Sequence, residues 1–407
     1  MWTHSRTTRT MLLRFFVFSA LFALGSSAFS LIPSQRVECT RGEVCAVPKD
    51  TLDFFVVGDT GGFAFDIGTN FLNYIRPTDA QIRVADAMAE IAAKDGVDFI
   101  INVGDNIYWN GADDVFDTRF ETVFEKPYES DRLLVPWYMI GGNHDHLGNI
   151  SAQVAYTNHS SRWQATFFLP FNRILSFRTF PSLYYKASYA FNRFGTTADF
   201  IFIDTIVLCG NSIDVDSRSL WSWITATKHV PDRPPPQYVE EAARQWAWIE
   251  EQLKNSRADY LFVVGHYPIH SMSAHGPVKC LVDRLDPLLR KYHVSAYMSG
   301  HDHALQFYRF DNDGSNIHYL VSGTGSRTDS SEKHMGVDGA GLLYHYPRQA
   351  ETSWWRRALR QGQLGYGWGG FSRFRLTPTE ATVDFLVRSA ELEYRDVIKP
   401  RTQKVFD

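Results

Sequence analysis

Apolar residues in this chain gather into short unbroken runs, and five of these runs stop at a glycine followed by a residue able to coordinate a metal. Phe54–Val57 ends in Gly58-Asp59, Phe99–Val103 in Gly104-Asp105, and Trp137–Ile140 in Gly141-Gly142-Asn143-His144. Tyr260–Val264 ends in Gly265-His266, and Val294–Met298 runs on to Gly300-His301-Asp302-His303. Runs of this length and composition predict strands. The region outside the carboxyl ends of strands is where open α/β sheets hold their ligands. The preceding glycine is expected to take the sharp turn that aims each side chain outward.

Between the runs the periodicity changes. Thr78 followed by Gln81 predicts a capping box, opening a helix that buries Ile82, Ala85, Met88, Ala89 and Ala92 and returns the chain to a parallel second strand. Val239, Ala242, Ala243, Trp246, Ile249 and Leu253 define a second amphipathic helix. Residues 109–134 read as short helices and loops, and 151–198 as an irregular, aromatic-rich connection. Phe200–Asp204 reads as a strand, and 211–238, with Pro234-Pro235-Pro236, as an exposed excursion. Ile317–Val321 and Ala381–Leu386 are expected to be strands closing a second sheet. Trp354-Trp355 and the Gly365–Gly370 segment suit ordinary packing better than an aromatic binding patch.

The five junctions span 58 to 303 of 407 residues, and 44% of the chain is hydrophobic, which favours one large α/β domain. We place it at 51–400, after an irregular lead-in over 29–50. A net charge of −4 suggests neither nucleic acid nor an acidic membrane surface as partner, and a monomer is expected. At the N-terminus Arg6, Arg9 and Arg14 precede the apolar Phe15–Leu24 run and the small residues Ser26-Ser27-Ala28, which reads as a signal peptide over 1–28. That run is too short to span about 30 Å of hydrocarbon as an anchor. Export makes pairing of Cys209 with Cys280 and of Cys39 with Cys45 an expectation, and makes Asn149 and Asn158 candidate glycosylation sites.

The junctions and their neighbours offer Asp59, Asp105, Tyr108, Asn143, His266, His301 and His303, too many for one zinc. Two ions about 3.5–4 Å apart, bridged by one carboxylate, suit them better. In order and spelling, Gly-Asp-x-Gly, Gly-Asp-x-x-Tyr, Gly-Asn-His-Asp, Val-x-x-His and Gly-His-x-His resemble the purple acid phosphatases of the metallophosphoesterase superfamily. The likeness is strongest to their small mammalian-type branch, from about 53 to 330, and includes Leu208-Cys209-Gly210-Asn211-Ser212 and Gly265-His266-Tyr267-Pro268.

The resemblance implies a four-layer α/β sandwich, with two mixed sheets face to face and helices outside. It implies Asp59, Tyr108 and His303 on Fe(III), Asn143, His266 and His301 on a divalent ion (Fe(II), with Zn(II) or Mn(II) as substitutes), and Asp105 bridging. The activity it implies is hydrolysis of phosphate monoesters by attack of a hydroxide that the metals supply, in a protein secreted or sent to the lysosome. His144 and His275 match positions that face the substrate, where an imidazolium binds a phosphate oxygen and protonates the leaving alkoxide. Thr60 departs from the family's usual tryptophan, and insertions are expected near 164–180, 212–238 and 338–367. The 211–238 excursion matches a protease-sensitive loop that restrains activity, with Asp214 or Asp216 expected near the metals. Two alternatives stay open, a phosphodiesterase or nucleotide pyrophosphatase on the same metal core, and a non-hydrolytic iron-binding or redox protein.

Overall fold

Leu52–Val57 is buried at every position, which a strand achieves only when both faces of its sheet are covered. In a computed structural model of the chain, the described residues are 38–39, 44–62, 76–169, 173–211, 233–312, 315–349, 354, 362 and 364–401. Among them two mixed sheets carry the fold. The six-stranded sheet contains β3 (Leu52–Val57), β4 (Phe99–Asn102), β5 (Trp137–Met139), β15 (Gly370–Leu376), β16 (Ala381–Val387) and β17 (Glu391–Ile398), in the order β17-β16-β15-β3-β4-β5. β3, β4 and β5 run parallel, so their carboxyl ends lie side by side.

The nine-stranded sheet is built from β1 (Glu38–Cys39), β2 (Cys45–Val47), β8 (Tyr185–Phe191), β9 (Thr196–Phe202), β10 (Tyr260–Val264), β11 (Ala296–Ser299), β12 (Leu305–Asn312), β13 (Ser315–Ser322) and β14 (Leu342–Tyr346). Its centre, β9-β10-β11-β13, is parallel. A hairpin of β6 (Gln164–Leu169) and β7 (Arg173–Arg178) stands apart, within the expected first insertion.

Aromatic residues bond the two sheets. Phe54 stacks on its neighbours Phe99 and Phe374 within one sheet and meets Phe200 of the other edge-on at 5.2 Å. Each such pair adds about 0.5–1.5 kcal/mol beyond the area it buries. Helix α1 (Asp79–Asp95) covers the outer face of the six-stranded sheet through Val84 and Met88. The short α3 (Thr205–Cys209) with α4 (Val239–Asn255) and α5 (Lys279–Lys291) covers the other outer face, where Trp246, Ile249, Leu281 and Leu285 pack on Ile201, Leu261 and Val263. The result is the expected four layers.

Several local expectations need correction. Thr78 does cap α1, accepting the Gln81 N–H at 3.0 Å, but the Gln81 side chain donates to the Val123 carbonyl instead of closing a capping box. The buried face of α1 runs through Val84, Met88 and Ile91 and leaves Ile82 exposed, because the sheet lies under that stripe. In α4, Val239 and Ala243 are exposed while Gln245 is buried, its amide bonded to the backbone of Asp204. The described residues of 151–198 form regular structure. They hold α2 (Ile150–Tyr156), the hairpin and β8, which hydrogen bonding to β9 stabilises where the sequence pattern alone is weak. Ile317–Val321 and Ala381–Leu386 do form strands, but in different sheets. Within the 29–50 lead-in, β1 and β2 pair, with Cys39 opposite Cys45. The leader, Asp214, Asp216, Trp355 and most of the 338–367 segment beyond Gln349 lie outside the described residues. No helix among the described residues is long and apolar enough to cross a membrane.

Candidate metal centre

The carboxyl ends of β3, β4, β5, β10 and β11 open onto one spot, and three of the turns that leave them are strained at the chemistry itself. Asp59, Asp105 and His301 all take left-handed backbone angles, with φ of 57°, 54° and 69°. Such a conformation costs a non-glycine residue about 1–3 kcal/mol and persists only when its surroundings enforce it. The sequence reading gave the sharp turn to the preceding glycines. It falls instead on Asp59 and His301, and at the second junction on both Gly104 (φ 96°) and Asp105, while the other glycines supply room. A Cβ on Gly142 would fall inside the Asp105 carboxylate, and one on Gly300 would meet Asp59 Oδ2.

The seven residues gather into two groups. In the first, the Tyr108 hydroxyl donates to Asp59 Oδ1 at 3.0 Å and lies 3.2 Å from His303 Nε2, which is 3.6 Å from the same carboxylate oxygen. In the second, His266 Nε2 is 2.9 Å from Asn143 Oδ1, and the His266 and His301 rings are 5.1 Å apart. Asp105 sits between, its Oδ1 3.5 Å from His266 Nε2. One ligand atom each from Asp59, Asp105 and His266 lie within 4.8 Å of one another.

The donor chemistry fits cations. The Val103 carbonyl accepts from His266 Nδ1 at 2.8 Å, so in the neutral ring the Nε2 lone pair faces the amide oxygen of Asn143. Two acceptors at that distance call for a second proton on the ring, a turned Asn143 amide or a cation held by both. Burial raises the Asp59 carboxyl to about 7, and burial with the charges of Asp105 and Asp59 pushes the Tyr108 phenol well above its ordinary value. Burial also holds His301 well below the usual imidazole range. Asp105 is the exception, since His266 and His144 outweigh its burial and hold it below the usual carboxylate range. Ionised, this set lacks the positive charge that a dry pocket demands. Metal ions would supply that charge, and Asp59, Tyr108 and His303 lie on one side of Asp105 with Asn143, His266 and His301 on the other.

The calcineurin-like phosphoesterase family model matches residues 52–305. Tartrate-resistant acid phosphatase type 5 of Oryctolagus cuniculus is 35% identical over 87% of this chain and 92% of its own length. Purple acid phosphatase 4 of Arabidopsis thaliana is 30% identical over 77% of this chain and 82% of its own. The chain belongs to the purple acid phosphatases within the calcineurin-like phosphoesterases. Among solved structures, the yellow lupin purple acid phosphatase matches at TM-score 0.52 and 15% identity, over 87% of this chain and 56% of that one. GAP50, described as the anchor in the inner membrane complex of Plasmodium, matches at TM-score 0.62 and 22% identity, over 88% of this chain and 92% of that one. At these identities both likenesses show the fold.

The two remaining histidines of this phosphoesterase lie at the rim of the cluster. His144 Nδ1 is 2.6 Å from the Trp109 carbonyl, which only accepts, so Nδ1 carries the proton and Nε2 is left 4.0 Å from Asp105 Oδ2. Burial lowers the His144 ring to about 4. The His275 ring lies on His301 with centroids 4.2 Å apart, and its backbone N–H donates to Asp302 Oδ1 at 2.9 Å.

Sequence reasoning missed the phosphoesterase's supporting carboxylates. Buried Asp302 also takes the Ser271 hydroxyl and the Gly276 N–H, which fixes the His275 loop. Asp145, inside the Gly-Asn-His-Asp motif but given no role, braces the Asp105 and Asn143 turns. A third, Asp204, caps α3 and pairs with His146 at 2.7 Å. Each signal was a single acid whose meaning depends on what converges around it. Asn211, from the quoted Leu208–Ser212 stretch, donates to the Asn143 carbonyl at 2.9 Å.

Proposed function

We propose that this chain is an exported acid phosphatase that hydrolyses phosphate monoesters with two metal ions. Asp59, Tyr108 and His303 would hold Fe(III), Asn143, His266 and His301 a divalent ion (iron, zinc or manganese), and Asp105 both. The observation that carries this reading is the division of the seven side chains into two groups with the Asp105 carboxylate between them. Bound there, the ions would supply positive charge to the phosphoryl oxygens and lower the pKa of water. Charge supports the assignment too. Fe(III) with a divalent ion carries +5, the two aspartates and the phenolate carry −3, and the remaining +2 matches a monoester dianion.

The chain's own residues do the rest. The Trp109 carbonyl holds the Nδ1 proton of His144, so the second proton of its imidazolium would sit on Nε2, the nitrogen left to serve a phosphate oxygen or leaving group. Asp302 holds the His275 backbone so that a second imidazole flanks the same space. Asn149 and Asn158 are both exposed, as N-glycan acceptors must be. The direct test compares an aryl phosphate monoester with the matching diester across acid pH. Preferential monoester turnover supports the proposal, and turnover of the diester alone would replace it with a phosphodiesterase.

A further inference from the structure

The turn after β13 supplies none of the seven residues, yet it touches all three that are proposed for the trivalent ion. Gly325 N–H donates to the Gly58 carbonyl at 3.0 Å, and Ser326 Oγ donates to the Asp59 carbonyl at 2.5 Å. Three residues later the Asp329 N–H donates to the His303 carbonyl at 2.7 Å. Between these anchors stands Arg327, only 1% exposed. Its guanidinium carbon lies 3.9 Å from the centroid of the Tyr108 ring and 4.5 Å from that of Trp109. The Tyr108 ring meets His144 edge-on at 4.7 Å.

A guanidinium is planar and stacks on aromatic faces, and such a contact strengthens when it is removed from water. Packing alone does not account for it. A methionine or leucine would fill much of the same volume without burying a charge beside a site built for cations. The cation addresses the face of the one phenolic ligand, and hydrogen bonds at 325, 326 and 329 fix the turn that presents it.

We propose that Arg327 is a positioning residue for Tyr108, a fixed cation on the ring that draws electron density from the phenolate and so tunes the colour and reduction potential of the iron it binds. The inference rests on the two-metal reading above. A cation stacked on the ring stabilises the phenolate's filled orbitals, which would raise the energy of transfer from phenolate to a bound iron. Positive charge near the iron also favours its reduced state.

The test loads wild type, Arg327→Met and Arg327→Lys with iron, then measures metal content, visible spectrum and reduction potential. Both variants should keep two metals per chain. The Met variant should absorb at longer wavelength and have a lower reduction potential, and the Lys variant, whose ammonium cannot stack, should shift the same way by less. If the Met variant fails to fold, the Lys shift decides alone. An unchanged band and potential at full iron content would overturn the proposal, as would loss of iron from both variants, which would make Arg327 part of the binding framework. Colourless wild type would instead remove the two-metal reading, and this inference with it.

Discussion

The carboxylate of Asp145 accepts the backbone N–H of Asn106 at 3.0 Å. It also takes the N–H groups of Ile107 and Gly142 at 3.1 and 2.8 Å and the Gln153 amide at 2.7 Å. One buried acid thus ties the turn that carries Asp105 and Tyr108 to the turn that carries Asn143. Asp145→Ala leaves at least two buried N–H groups unbonded, and each costs about 1–3 kcal/mol. We expect a stability loss of about 2–5 kcal/mol in denaturant unfolding, with reduced metal content. Asp145→Asn, which keeps one acceptor oxygen, should lose less.

His144 and His275 face the centre without being counted among its ligands. Alanine at either position should leave metal content intact and cut kcat by about 10²–10⁴, the usual contribution of a positioned acid or base. Loss of iron from either variant would reassign that histidine as a ligand.

Metal loading should release protons. Burial keeps the Asp59 carboxyl up to about 7 and holds the Tyr108 phenol well above its ordinary value, so both are protonated in metal-free protein at pH 6. Ions that take these ligands displace about two protons, while His301, held low by burial, adds none. Affinity therefore rises with pH, and calorimetry in buffers of different ionisation heat counts the protons. The sign for the fold follows from the raised value. In metal-free protein the stabilising contribution of Asp59 is full below its ordinary 3.8 and is lost as pH rises through about 7. An affinity independent of pH would contradict this account.

The Cys209–Cys280 disulfide links the end of α3 to the start of α5 across 71 residues. In the chain-entropy model a loop of that length contributes about 4 kcal/mol. Replacing both cysteines with serine should lower the unfolding midpoint accordingly. It should also weaken retention of the divalent ion, because Asn211, two residues beyond Cys209, supports Asn143.

The sequence exposed the parts of this site that repeat. Strands buried on both faces leave continuous apolar runs, and the crowding at their ends demands glycine, so a pattern of apolar run, glycine and ligand marks each turn that feeds the centre. What it hid were residues whose role is set by convergence. Asp145 and Arg327 are single charged residues in ordinary local surroundings, and only the fold brings them against Asn106 and Tyr108. Register was hidden as well. Ile82 looked like core because the helix pattern does not show where the sheet lies, and β8 was lost because its partner, not its own composition, makes it a strand.

On the proposed reading Tyr108 and Asp105 belong to one two-metal centre. Metal analysis with visible spectroscopy on purified wild type and Tyr108→Phe tests it most directly. The account predicts two metal ions per chain, at least one of them iron, and an absorption band in wild type that vanishes in the phenylalanine variant. A colourless, iron-free wild type, or a band that survives in Tyr108→Phe, would contradict it.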